Sequence, residues 1–120
     1  MKFLLVITMN PDVWAGLPQE TQERVMHGQT DFIKRIRESG EFVATYALDA
    51  PAASKTVRNT GGTVAVTDGP FIEAKEFLAG FYLIEVPSAE RAYEVAALMP
   101  DVQVPGLGIE VRPVLYEETA

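Results

Sequence analysis

The stretch FLAGFYLIEV, Phe77 to Val86, carries apolar side chains on both of its alternating faces. A strand with one wet face alternates apolar and polar residues, so a run of this kind belongs to a strand covered on two sides. KFLLVITM, Lys2 to Met9, reads the same way, with Phe3, Leu5 and Ile7 on one face and Leu4 and Val6 on the other. Two such runs call for the central places in one sheet. The rest of the chain has to supply the edges and the cover.

Between them the period changes. From Pro18 to Ser39, Val25, Phe32, Ile33 and Ile36, flanked by Met26, recur at helical spacing and form one apolar stripe. Pro18 suits a first turn, and Glu20 and Glu23 sit near the positive end of the helix dipole. Lys34, Arg35 and Arg37 favour the last turns, and Gly40 reads as the cap beyond them. EFVATYAL (41–48) is a strand stopped by Asp49-Ala50-Pro51. KTVRNTGGTVAV (55–66) is a hairpin turning at Asn59 to Gly62. Ser88 is an N-cap for a second helix that carries Ala92, Val95, Ala96 and Met99 inward. IEVRPVLY (109–116) is the last strand, with Ile109, Val111 and Leu115 on one face and Glu110, Arg112, Val114 and Tyr116 on the other.

That order is βαββαβ with an extra hairpin. It is the α+β, ferredoxin-like plan, in which an antiparallel sheet has two helices on one face. The other face then presents apolar side chains, each worth roughly 1.5–3 kcal/mol if buried. A second copy packing sheet to sheet would bury them, so the expected assembly is a homodimer of the dimeric α+β barrel type.

Bulk properties narrow the function. A chain of 120 residues fits a single domain, 1–120, able to bury a real core. A net charge of −7 argues against nucleic acid, whose phosphates demand Lys and Arg. The N-terminal apolar run stops at Thr8, and Asn10-Pro11-Asp12 stands where a signal peptide needs small cleavage-site residues. No run has the length of a membrane-spanning helix, so a cytoplasmic protein with no membrane partner is expected. One His and no Cys leave no ordinary zinc site, and no acidic cluster has calcium-loop spacing. NTGGTV is a hairpin rather than a strand-to-helix phosphate turn, so no metal and no cofactor are expected.

The segment TDGPF, Thr67 to Phe71, raises the question of chemistry. Asp-Gly-Pro is turn material: Asp68 can accept backbone N–H groups, Gly69 permits positive φ, and Pro70 stiffens the chain. The same turn would hold the Asp68 carboxylate ready as a general base. His27 points nearly opposite the helix stripe, beside Glu23, Asp31 and Lys34. It is either a solvated residue or the base of a His27–Asp31 pair four residues apart. Glu110 and Arg112 fall on the dimer-facing side of the sheet, as an interface ion pair or the polar wall of a pocket. Arg58 beside the hairpin turn and Glu76 next to Lys75 are further candidates for binding a substrate. Gly80 inside a strand marks a bulge or a close approach.

VTDGPFIEAKEFLAGFYLIEV (66–86) and EVRPV (110–114), together with MKFLLVI at the N-terminus and TVR at 56–58, resemble the YCII-related family and its DGPF-type branch. The resemblance covers nearly the whole chain. It implies a ferredoxin-like fold, usually dimeric, of unsettled activity, with an enzyme-like pocket around a His and an Asp. Relatives carry that His one turn before the aromatic matching Phe32, where this chain has Gln29. The reading that follows is a small-molecule pocket protein, with Asp68 and His27 as acid–base groups of a cofactor-independent lyase- or isomerase-like reaction. Arg112, Glu110, Arg58 and Glu76 would bind the substrate. The alternative is a non-catalytic dimer that binds a ligand or partner in a stress or transcription-regulation context.

Overall fold

The computed structural model describes residues 1–120. Its elements run β1 (Lys2–Met9), α1 (Pro11–Ala15), α2 (Gln19–Glu38), β2 (Phe42–Ala47), β3 (Lys55–Thr60), β4 (Thr63–Asp68), β5 (Phe77–Glu85), α3 (Ala89–Ala97) and β6 (Ile109–Pro113), with short 3-10 segments at Pro51–Ala53 and Pro100–Gln103. Four strands make one antiparallel sheet in the order β2-β5-β1-β6. The two doubly apolar runs are its central pair, and the fold is the ferredoxin-like α+β arrangement. Strands β3 and β4 form a separate two-stranded ribbon.

Local chemistry explains the boundaries. Helix α2 stops where Gly40 takes φ +80°, a conformation that residues with a Cβ avoid. The Ser88 hydroxyl accepts the Arg91 N–H at 3.1 Å and starts α3. Asn10-Pro11-Asp12, which looks only like a strand breaker, begins the short helix α1. Asn10 Oδ1 accepts the N–H groups of Asp12 and Val13, and Pro11 opens the first turn.

One face of the sheet carries the core. Phe3, Leu5, Tyr82 and Ile84 meet Phe32 and Ile36 from α2 and Ala92, Val95 and Ala96 from α3. Phe32 stands edge-on to Tyr82, with ring centroids 5.1 Å apart. No helix or strand of the chain covers the opposite face, where Leu4, Val6, Phe81 and Leu83 lie. No helix is long and apolar enough to cross a membrane. The last strand is shorter than its sequence suggests. Pairing with β1 ends at Pro113, opposite Phe3, because β1 itself is running out, and a single bond from the Val114 N–H to the Lys2 carbonyl follows. Leu115, expected to face the helices, is therefore fully exposed.

A partly buried ion pair ties α3 to Glu41, just before β2. Arg91 donates from Nε and Nη2 to the two carboxylate oxygens of Glu41, at 2.7 and 2.8 Å, and Ser39 Oγ donates to the same carboxylate at 2.7 Å. The Arg91 bonds hold Glu41 below its ordinary 4.5; burial opposes them and Ser39 assists. A carboxyl whose pKa falls on folding adds stability above its unfolded value and loses it as pH drops through the folded one. Urea unfolding should therefore show wild type losing stability below about pH 4.5 more steeply than Arg91→Met. Equal slopes in the two proteins would refute this role.

Candidate functional site

At one end of the sheet the chain leaves a cleft of about 330 Å³, just within the size range of small-molecule sites. Its walls are Ile7 of β1, Thr45, Tyr46 and Ala47 of β2, Ala79, Gly80 and Tyr82 of β5, and Gln29 and Ile33 of α2, with Asp101 from the 3-10 segment. The lining is mostly apolar, and its polar groups converge.

Three of those groups form a chain. The Tyr82 hydroxyl donates to Gln29 Oε1 at 2.7 Å, and Gln29 Nε2 donates to Asp101 Oδ1 at 2.8 Å. Asp101 is only 9% exposed. Its second oxygen has no protein donor, yet no buried side-chain oxygen is left unsatisfied, so that oxygen keeps contact with solvent, and Asp101 is among the residues that line the cleft. Burial pushes the Tyr82 hydroxyl up to about 12, the Asp101 charge adds to this, and Thr45 pulls it back. At neutral pH Tyr82 is thus a fixed donor, Gln29 passes the polarity on, and Asp101 offers an acceptor. Thr45 Oγ1 is committed to the Phe81 carbonyl at 2.9 Å.

Two glycines shape the walls. At Gly80 the register of β1 on β5 slips by one residue, and the β2 backbone approaches closely. Gly28 does the same for the helix, lying against the ring of Pro100. The Gly28–Pro100 contact sets the spacing of the residues that follow each, Gln29 and Asp101.

The residues singled out from the sequence lie elsewhere. Asp68 ends β4, with its carboxylate exposed and ion-paired to Lys55. The turn after it is held by other groups. Gly69, at φ +89°, donates its N–H to the Ser54 carbonyl at 2.8 Å, and Thr56 Oγ1 donates to the Gly69 carbonyl at 2.7 Å. The motif is a clip at the base of the ribbon. Arg58 stacks over Phe71, 5.2 Å from the ring centroid. His27 borders an open polar hollow with Glu20, Glu23, Arg24 and Asp31 on the solvent side of α2. Glu110 and Arg112 pair with each other on the uncovered sheet face, opposite Val6 and Leu4. Glu76 is exposed in the segment before β5. None of these six lines the cleft.

Replacing Asp68 tests the clip directly. Asp68→Asn and Asp68→Ala should shift Tm by less than roughly 2 °C, since an exposed ion pair contributes little. Thr56→Val, which orphans the Gly69 carbonyl, should cost about 1–2 kcal/mol. If Asp68→Ala proves the more damaging change, the carboxylate and not the Thr56 bond holds the turn.

Asp101 and Tyr82 were hidden in the sequence. Pro100-Asp101 reads as a loop, and Tyr82 as a core aromatic. The usable signal is Gln29, at the position where the resemblance calls for a histidine, because that position opens onto this cleft. Among the residues of the chain, no group of three His, Cys, Asp or Glu is placed to hold a metal ion.

Comparison with known proteins shows the family. An uncharacterized protein of Rhizobium meliloti (strain 1021), R00369, is 31% identical over 118 residues, spanning 98% of this chain and 95% of that protein. The sequence model of the YCII-related domain matches residues 1–117. The chain belongs to the YCII-related family.

Proposed function

We propose that the protein binds a small, largely apolar molecule bearing an N–H or O–H donor, in the cleft of Gln29, Tyr82 and Asp101. The observation that carries this reading is a nearly buried Asp101 carboxylate lining the mostly apolar cleft, with one oxygen held by Gln29 and the other without a protein donor. Sheltered polar groups of this kind supply orientation and specificity, while the apolar lining supplies affinity. A ligand amine or hydroxyl would donate to Asp101, and its apolar body would lie against Ile7, Ile33 and Ala79.

The same carboxylate supports a second reading, cofactor-independent proton transfer with Asp101 as the base. Tyr82 would then be a donor to developing negative charge. Binding is the stronger reading, because Gln29 cannot take up a proton and the acid–base residues read from the sequence, Asp68 and His27, stand apart from the cleft. The working unit is a homodimer through the uncovered sheet face. The protein exposes 8351 Å², against roughly 6,400 Å² for a monomer of its 13.2 kDa. The excess of roughly 1,900 Å² is the scale that one subunit of an obligate dimer buries.

A fragment set of small amines and alcohols, screened by ligand-observed NMR against wild type and Asp101→Leu, tests the site. Hits that bind wild type and lose at least tenfold in affinity to Asp101→Leu are expected. Hits that bind both proteins equally would refute the assignment of Asp101.

A further inference from the structure

The ribbon of β3 and β4 stands off the body of the protein. Its strands pair only with each other, and Thr56 is its only buried residue. The radius of gyration, 16.6 Å, is well above the roughly 14 Å of a compact chain of this length. One face of the ribbon is apolar. The register pairs Val57 with Val66 and Asn59 with Val64, which sets three valines side by side at 67%, 64% and 66% exposure in the order 57, 66, 64. By contrast, Leu4, Val6, Phe81 and Leu83 on the uncovered sheet face are each already half-buried by their neighbours.

An isolated two-stranded ribbon is at best marginally stable in water. This one is nonetheless closed at its base by the Ser54–Gly69 and Thr56–Gly69 bonds, which tie its two strand ends to each other. A stiff arm with a wet apolar face is a docking element. Its charge points to what it docks on. Lys55 and Arg58 against Asp68 leave the ribbon at +1, in a chain of −7 whose remainder is thus −8. An arm of opposite sign to the body is drawn to another body of the same kind. The exposed apolar residues Tyr46 and Leu48 also lie on the segment leading from β2 toward the arm, joining it to the sheet.

We propose that the β3–β4 ribbon is an interaction arm that packs its Val57, Val64 and Val66 face against a second copy of this chain. The inference rests on the homodimer reading above and adds the arm to the interface. It gives the Thr56–Gly69 clip a purpose, since a loose base would make docking costly in entropy.

The test is sedimentation equilibrium on the full chain as wild type, as the triple variant Val57→Thr, Val64→Thr and Val66→Thr, and as Leu83→Lys on the sheet face. Threonine keeps the β-branched shape and the strand preference, so the arm should still form; far-UV circular dichroism checks this. A wild-type dimer whose dissociation constant rises at least tenfold in the triple variant is the expected result. An unchanged constant in the triple variant overturns the arm, and if Leu83→Lys still dissociates the dimer, the sheet interface stands without it. A wild type that stays monomeric to 100 µM overturns both. Because the chain has no cysteine, Val66→Cys gives a single labelling position. An environment-sensitive dye there should shift to the blue as concentration crosses the dissociation constant, and a constant emission maximum contradicts the proposal.

Discussion

Gly80→Val is expected to destabilise the protein by about 3 kcal/mol or more, a fall in Tm of roughly 10 °C or greater. Strand propensity alone predicts the opposite, because valine favours strands and glycine weakens them. The packing decides the sign. A Cβ built on Gly80 would lie 2.6 Å from the Tyr46 carbonyl oxygen and 3.2 Å from the Ala47 Cα, both backbone atoms of the neighbouring strand. Neither atom can turn aside as a side chain would. Strand β2 would have to leave β5 at the point where Tyr46 and Ala47 line the cleft, so ligand binding should fail along with stability. A thermal melt followed by circular dichroism checks it, and an unchanged Tm would mean that the close approach is not real.

The second large effect concerns Gly28→Ala, where two terms compete. Replacing a glycine inside a helix with alanine gains about 1 kcal/mol in propensity. Against this, the new Cβ would stand 2.8 Å from Pro100 Cβ and 3.0 Å from its Cγ. A proline ring cannot swing away, and forced overpacking costs about 1–3 kcal/mol. A net loss of about 1 kcal/mol is expected. The functional effect should be larger than the stability effect. Moving α2 away from the 3-10 segment stretches the 2.8 Å bond from Gln29 to Asp101, a bond to a charged group worth about 1.5–3 kcal/mol. Affinity for a cleft ligand should therefore fall roughly tenfold or more. A stabilised Gly28→Ala with undiminished binding would show that the Gly28–Pro100 contact does not set the site.

The fold was legible because it depends on period and on burial, which short stretches record. The two doubly apolar runs became β1 and β5 at the centre of the sheet. The stripe of Val25, Phe32 and Ile36 became the buried face of α2, and the hairpin became the ribbon, although its turn is Gly61-Gly62, with Asn59 and Thr60 still paired in the strand. The misreadings occurred where a residue has two uses. Asn10 and Pro11 serve equally to end a strand and to cap a helix. Leu115 has the parity of an inward residue but no strand beside it.

The candidate site was far less legible. Gln29 and Asp101 are 72 residues apart, and only the packing of α2 on Pro100 joins them. Glu41 and Arg91, 50 apart, show the same limit for a purely structural pair. Charged residues drew attention in the sequence through local motifs, as Asp68 did in TDGPF. Yet the carboxylate that the structure shelters follows a proline in an unremarkable loop.

Binding in the cleft is the central claim, and mapping a ligand onto the backbone tests it most directly. The 1H–15N correlation spectrum of the wild-type protein would be titrated with the tightest fragment hit. Shifts are predicted for the amides of Gln29, Thr45 to Ala47, Ala79 to Tyr82 and Asp101, and they should be absent in Asp101→Leu. Shifts confined to the ribbon, or to the hollow around His27, would place the ligand elsewhere and contradict the assignment.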